Sequence, residues 1–493
     1  MASAGRSKVA GKNERRTITL IFIIACFFSL VYLLTATMPV FLKILLSLLS
    51  LMVTGYIISS TNGFPNLGGI LYAGSVKSVT DGSLVIINHA AIRNARAWNL
   101  ITEWGLVMSF GALSYFIFRK RISKRMLAIG LASILLIQVF ILPYLSIAVN
   151  FLNLPSAASS ATSSVSSTSS SGPLSLIPYF LLAVSIVGGF AVYLLATLAY
   201  GAGITIYKIV AFVSSNVLHT GAHNALPGPL AAPVIPGITL PLAVGMISLA
   251  IIITTHEFSH GIIARINKLK IKSVGLLMFG IIPIGAFVEP DEKSVGKLPV
   301  HEQNKIAIAG ISINFLTMLA AALFMILTIA YILPSYFSTH LVIISTLPGT
   351  PAYNTIPVNS VVLKWNNYTI TTLASAYNAL KLDKPGSSVS VVTNNGSYTL
   401  IANATGKIGV LVMQEQMPKS HGLATGVVNF FYSLFSVLFM LSFFIAVINL
   451  LPIPMFDGWR IYKMVMSRRK ANALAIFTVI LFLTLFIPWA WSL

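Results

Sequence analysis

The stretch ITLPLAVGMISLAIIITTHEFSHGIIARI, residues 238–266, carries two messages. Residues 238–260 are apolar up to Thr255 and long enough to cross a hydrocarbon layer of about 30 Å as a helix. That run ends in His256-Glu257-Phe258-Ser259-His260. Two histidines at i and i+4 share one helix face and can direct two imidazole nitrogens at one Zn²⁺, with Glu257 placed to handle water between them. With 8 His and 7 Glu in 493 residues, the pattern arises by chance roughly 0.002 times. The bland alternative is a pair of interfacial histidines capping a span beside an incidental glutamate. Ionisable groups at membrane depth are costly and mark function, which favours the metal reading.

The rest of the chain agrees with the membrane reading. Of its 493 residues, 56% are apolar and 9% charged, against roughly 25% charged in soluble domains, which excludes a large soluble globular protein. Mean hydropathy is +0.87. Candidate spans are 17–37, 39–60, 98–118, 126–149, 176–199, 201–220, 238–260, 306–333, 424–448 and 472–492. The expectation is a polytopic α-helical membrane protein with about 9–10 transmembrane helices.

A net charge of +21 would fit a nucleic-acid binder, but its distribution excludes one. Segments 1–16, 119–125, 265–305 and 460–470 hold 5, 5, 7 and 5 of the 32 basic residues, and each abuts an apolar run. That is the pattern of cytoplasmic loops. It predicts a multi-pass protein of the cell membrane with a basic cytoplasmic tail (1–16), cytoplasmic loops 265–305 and 460–470, and a Ser-rich loop, 156–172, outside. Between residues 16 and 119 three spans would put one basic segment on the wrong side, so one run there does not cross. The apolar run after the tail reads as an uncleaved anchor. Cys26 stands alone, so no intrachain disulfide forms.

Residues 338–415 are polar and rich in Asn, Ser and Thr. Alternating stretches at 388–393 and 397–401 flank Asn394-Asn395-Gly396, a hairpin signal. This is a small, mostly β domain inserted between two spans, and the Lys305 end of the preceding helix puts it outside the cell. Sequons at Asn367, Asn395 and Asn403 agree with that side.

A catalytic zinc takes a third protein ligand besides two histidines. The chain offers Glu289, Asp291, Glu292 and Glu302, or the distant Asp457 in NLLPIPMFDG (449–458), where Asp457 also reads as a helix N-cap. A second i,i+4 pair, His219 and His223, lacks a central Glu and lies among Gly221, Pro227 and Pro229, so it reads as a loop without metal. Val76–Asn88 with its Asp81-Gly82 turn reads as a polar hairpin near Arg93 and Arg96.

HEFSHGIIARI (256–266), IIPIGAFVEPDE (281–292), AGISINF (309–315) and NLLPIPMFDG (449–458) together resemble, in order, the signatures of the site-2 protease family of intramembrane zinc metalloproteases. The resemblance covers roughly 236–493. It implies one zinc per chain held by His256, His260 and Asp457, with Glu257 as catalytic acid/base. It implies substrate contacts from Asn449, Pro452, Gly285, Phe287 and Asn314. The metalloprotease core would then lie in two parts, 236–335 and 424–493, around the insert, while the transmembrane region 17–235 stands outside the resemblance. Substrates would be transmembrane proteins in the bilayer, cut by regulated intramembrane proteolysis. Because a helix bonds all its backbone groups internally, the substrate must be unwound, and the Gly/Pro-containing stretch 278–290 would form a hairpin whose edge takes it as an added strand. The insert resembles a PDZ domain through LPGTPAY (347–353) and SVVLKWNN (360–367), although Asn359-Ser360 stands where Gly-Asp is usual. A further departure is Ile311, where the family often has Pro.

Two other classes compete. A membrane-anchored zincin acting on soluble or misfolded proteins would take its third ligand from the downstream glutamates. A transporter or scaffold would keep its function in Glu257→Gln, and the two halves show no inverted repeat to favour it.

Overall fold

The computed structural model describes residues 12–38, 40–63, 66–67, 71–75, 82–118, 121–145, 148, 176–217, 236–237, 239–454 and 456–491. His219, His223 and the Ser-rich loop 156–172 lie outside them. The chain divides into two units, 1–322 with 434–493, and 323–433.

In the first unit, α1 (Lys12–Thr35) and α2 (Val40–Asn62) pack together and lead into strands β1 (Asn66–Leu67) and β2 (Leu71–Ser75). Then come α3 (Gly82–Phe110), α4 (Leu113–Ile117), α5 (Lys124–Leu136) and α6 (Ile177–Val217). The helix that carries the paired histidines is α7 (Leu242–Ile266). It starts after Pro241 and runs through an apolar sequence without internal proline. It stops where Lys268 turns left-handed, φ 59°, and the Arg265 guanidinium donates to the Leu269 carbonyl at 3.0 Å. Next are β3 (Ile271–Phe279), β4 (Ile282–Pro290), the short α8 (Glu292–Val295) and α9 (Val300–Leu327). The four strands form one antiparallel sheet in the order β1-β2-β3-β4.

Helix α3 is the unit's brace. Its Ile87 and Ala91, one turn apart, are buried against Ile262, Val274 and Val288. Asn88 accepts from the Arg265 Nε at 2.6 Å, and Asn99 accepts from Lys305 at 3.0 Å. At Gly105 an added Cβ would meet Ser312 Oγ at 1.7 Å, so α3 and α9 touch there through small residues, as helices in a bilayer do. Of the polar hairpin expected at 76–88, residues 76–81 lie outside the described residues, and the rest is corrected: residues 82–88 begin a helix. The apolar spacing of Ile87 and Ala91 suits a helix face and outweighs the Asp81-Gly82 turn signal.

Seven helices among the described residues are long and apolar enough to cross a membrane, fewer than the nine or ten expected. The described parts of the runs 176–199 and 201–220 lie on one stretch, α6, interrupted at Gly189. There φ is +65° and a Cβ would meet the Ser109 carbonyl carbon at 2.3 Å, so the kink and the close approach both require glycine. The run 98–118 breaks at Gly111 and carries Glu103, and it is not among the seven. The run 472–492 lies on a helix, Arg468–Trp491, that is not among the seven either.

The second unit carries a π turn (Thr328–Ile332) and α10 (Leu333–Tyr336). Then follow β5 (Phe337–Thr346), β6 (Val361–Trp365), β7 (Tyr368–Thr369), α11 (Leu373–Leu380), β8 (Ser388–Thr393), β9 (Gly396–Ile401) and β10 (Val410–Pro418). Its antiparallel sheet runs β10-β5-β6-β8-β9, with β7 on β6. The hairpin expected around Asn394-Asn395-Gly396 is present, Thr393 pairing with Gly396. Leu341, Ile343, Val362, Trp365, Val389 and Val391 fill its core, and Trp365 Nε1 donates to Asp383 at 2.8 Å. Helix α11 opens on a Thr372/Ser375 capping box.

After this sheet come α12 (Leu423–Ile448), α13 (Asp457–Val465) and α14 (Arg468–Trp491), with a turn at 449–454 that contains Pro452 and Pro454 between α12 and α13.

Candidate metal centre

Three side chains from two distant stretches meet in the first unit. His256 Nε2 lies 3.0 Å from Asp457 Oδ2, His260 Nε2 lies 3.2 Å from the same oxygen, and the two Nε2 atoms are 3.3 Å apart. The histidines come from α7, one turn apart, and their side chains expose 10% and 12% of their surface. Asp457 is the first residue of α13 and exposes 18%. Phe456 holds the N-cap position, so Asp457 is free of capping duty. The turn that delivers it is fixed by backbone: Gly458 N–H donates to the Asn449 carbonyl at 2.7 Å, and a Cβ on Gly458 would meet the Leu450 carbonyl at 2.7 Å.

This triangle fits a metal. Zinc–nitrogen bonds of about 2.0–2.1 Å at tetrahedral angles put neighbouring donor atoms about 3.3 Å apart, matching all three observed edges. The donor chemistry agrees. His260 Nδ1 lies 2.6 Å from the Ile306 carbonyl oxygen, which can only accept, so Nδ1 carries the ring proton. In its neutral form a ring so held turns a bare Nε2 toward the centre, facing a carboxylate oxygen. Converging lone pairs repel one another unless a cation or a shared proton lies between them. Among the described residues, this is the one group of three such side chains arranged to hold a metal ion.

Three of the other acidic candidates have partners elsewhere, and Glu292 is exposed at the start of α8. Glu289 is exposed and accepts from Ser273 Oγ at 2.6 Å. Asp291 pairs with Lys272 at 2.9 Å, and the Ser294 hydroxyl and that ammonium hold its carboxyl down at about 2. Glu302 binds His301 and Lys305, and Glu292 opens α8.

Glu257 stands between the histidines, half-buried, and its Oε2 accepts from Val288 N–H at 3.2 Å. Val288 lies on β4, so the carboxylate sits against that strand's edge. Among the described residues β4 has β3 on one side and no strand on the other, whereas both edges of β3 are paired, with β2 and β4. The hairpin tip is seated on α2: Gly280, φ +61°, lies where a Cβ would be 2.7 Å from the Leu51 carbonyl oxygen.

The expected substrate contacts fall in different places. Gly285 and Phe287 are on β4, paired with Leu277 and Gly275. Asn449 is half-buried, and its amide donates back to the Ile445 carbonyl at 2.9 Å, closing the last turn of α12. Pro452 is buried in the turn after it. Asn314 is fully buried, its Nδ2 3.0 Å from His256 Nδ1, on the far side of that ring from the donor triangle.

Sequence reasoning missed three participants: the Ile306 carbonyl, the brace α3 and the role of Gly310. A Cβ on Gly310 would lie 2.4 Å from His256 Nε2 and Cε1, so the ring rests directly on the α9 backbone. The small residues of AGISINF were the available signal for that contact.

Residues 244–488 match the family model described as Peptidase family M50. An uncharacterized protein of Methanocaldococcus jannaschii is 28% identical over 257 residues, which is 50% of this chain and 65% of that protein. The chain thus spans about 65% of the length of that curated relative.

Proposed function

Because the chain belongs, over residues 244–488, to Peptidase family M50, the site-2 protease family, we propose that it is an intramembrane zinc endopeptidase that hydrolyses peptide bonds within or near transmembrane helices. The observation that carries this reading is the donor triangle of His256, His260 and Asp457, built on α7 and α13 with edges of 3.0–3.3 Å. Zinc held there supplies Lewis acidity toward a scissile carbonyl and acidifies water. Glu257 takes the proton of the attacking water and passes it to the leaving amide nitrogen. Its contact with Val288 N–H fixes the carboxylate at the β4 edge, where the base must be for a strand lying along that edge.

The open β4 edge supports binding by strand addition. Ala286 has the same register parity as Val288, so both turn their backbone groups away from β3. An unwound stretch of substrate helix pairs with those of these groups that Glu257 leaves free, the N–H and carbonyl of Ala286 and the carbonyl of Val288, and so replaces internal bonds it has lost. With β2 already on β3, β4 is the edge of the β3–β4 hairpin left for the substrate to join among the described residues.

The seven apolar helices support a multi-pass membrane protein. The Lys/Arg bias supports cytoplasmic placement of the N-terminus and the catalytic end, with the sheet domain of the second unit outside. In this reading that domain is PDZ-like, supported by its antiparallel strands and the single helix α11, and it screens the ectodomains of substrates.

The test is reconstitution of the purified protein in liposomes with a panel of single-span substrates, with and without chelator. Cleavage that stops on chelation and returns with zinc is expected. Cleavage indifferent to chelation would overturn the proposal.

A further inference from the structure

Asn314 is entirely buried, yet its Oδ1 has no hydrogen-bond partner while its Nδ2 lies 3.0 Å from His256 Nδ1. A buried amide with one idle end is a costly thing to keep, so its neighbour must use it. The neighbour is the ring whose other nitrogen forms one corner of the donor triangle.

The two ends of the amide impose opposite states on that ring. With Nδ2 inward, the amide donates, Nδ1 accepts, and the proton of a neutral imidazole sits on Nε2. Nε2–H then donates to Asp457 Oδ2, 3.0 Å away, and has no lone pair to offer a metal. A half turn of the amide changes its shape little and brings Oδ1 to the same place. Nδ1–H then donates to Oδ1, and Nε2 is left bare, facing the centre. Either rotamer leaves one end of the amide unpaired, so the ring's need decides between them. No other described side chain is hydrogen-bonded to His256 Nδ1, whereas His260 has a fixed acceptor in the Ile306 carbonyl.

We infer that Asn314 is a positioning residue that sets the tautomer of His256: its amide oxygen, turned inward, holds the proton on Nδ1 and frees Nε2 to ligate zinc. The inference rests on the proposed metal centre. It departs from a substrate-contacting role because a side chain with no exposed surface touches only the ring and its surroundings. It also gives the two ligand histidines different natures. His260 is locked in the ligating tautomer by backbone, and His256 is held there by a side chain that can turn.

Acceptor and donor roles are separated by two replacements of similar size. Asn314→Asp offers only oxygen and is expected to hold zinc at least as tightly as the wild type, forming a carboxylate–histidine–zinc arrangement. Asn314→Leu offers nothing and is expected to weaken zinc by 10–100-fold, the usual loss for an orienting partner. Affinity is read on detergent-purified protein by competition with a chromophoric chelator, without reference to proteolysis. Equal affinities in the two variants, or weaker binding in the aspartate variant, would overturn the inference. A measurement on the unaltered protein stands beside them in case the leucine variant does not fold. In ¹⁵N-histidine NMR during zinc titration, His256 should show a protonated Nδ1 and a ligated Nε2, and ligation through Nδ1 would be fatal to the idea. His256→Ala separates the two layers. If that variant keeps wild-type zinc affinity, the metal centre itself is wrong, whereas loss of zinc there with equal affinities in the aspartate and leucine variants condemns only Asn314's role.

Discussion

Replacing Gly310 with alanine sets two physical effects of opposite sign against each other. Inside a helix, glycine is worse than alanine by roughly 0.5–1 kcal/mol, so by propensity alone Gly310→Ala should stabilise α9. The site reverses that expectation. The new Cβ would lie 2.4 Å from His256 Nε2 and Cε1 and 2.6 Å from Cδ2, about 1 Å or more inside a normal carbon contact of about 3.5 Å. The ring has little room to retreat, with Asn314 at Nδ1 and Asp457 at Nε2, both at 3.0 Å. Either α9 backs away from α7 or the ring leaves the triangle. Overpacking of this kind costs about 1–3 kcal/mol, which exceeds the propensity gain. If the strain falls on the metal-holding geometry, where ligand distances are tolerated to about 0.2 Å, zinc affinity drops by about 5–150-fold. The assay is chelator competition on purified Gly310→Ala, with Gly203→Ala as the control, since Gly203 lies in α6 with nothing within 4 Å of its added Cβ. Wild-type zinc affinity in Gly310→Ala would refute the close seating of His256 on α9.

Three further outcomes are expected. Glu257→Gln keeps zinc and fold and loses about 10²-fold or more in peptide cleavage, because the proton-transfer group is gone while the triangle is intact; near-normal turnover would remove Glu257 from that role. In a Cys26→Ser background, single cysteines at Ser387 and Ser467 should be labelled from opposite sides of sealed vesicles, and labelling of both from one side would reject the proposed topology. Asp291, held at about 2 by Ser294 and Lys272, has a depressed carboxyl, so its contribution to stability is complete above the ordinary value near 4 and is lost as pH falls through about 2. The melting difference between wild type and Asp291→Asn should therefore be constant from neutral pH to about pH 4 and vanish near pH 2. A difference that disappears already at pH 5 would contradict the assigned partners.

What the sequence made legible followed from local chemistry. His256 and His260 share a face because four residues make about one helical turn, and the hairpin at Ser388–Ile401 follows from alternation around an Asn-Asn-Gly turn. Asp457, about 200 residues from His260, was one of five acidic candidates until the resemblance singled it out, and the fold brings it within 3.2 Å of the ring. Less was legible where long-range packing decides. Nothing local in Leu71–Ser75 says that it pairs with β3, and nothing in Gly82–Phe110 says that it braces α7 and α9. The runs 176–199 and 201–220 were separated on hydropathy, yet what interrupts α6 is the backbone of Gly189, pressed against Ser109. For Asn314 the resemblance through AGISINF implies a substrate contact, and no local pattern points to His256. Only the fold brings its amide to 3.0 Å from His256 Nδ1.

The central claim is that His256, His260 and Asp457 form one zinc site, and zinc stoichiometry at limiting metal tests it most directly. Purified wild-type protein should hold one zinc per chain. Asp457→Ala removes one of three protein ligands and the only negative charge among them, so it should lose far more affinity than the 10–100-fold of an orienting partner and emerge from the same column essentially empty. Asn449→Ala, which alters the neighbouring turn but no ligand, should remain loaded. Full occupancy in Asp457→Ala would contradict the account and move the third ligand elsewhere, with Glu289 and Glu292 the first positions to try.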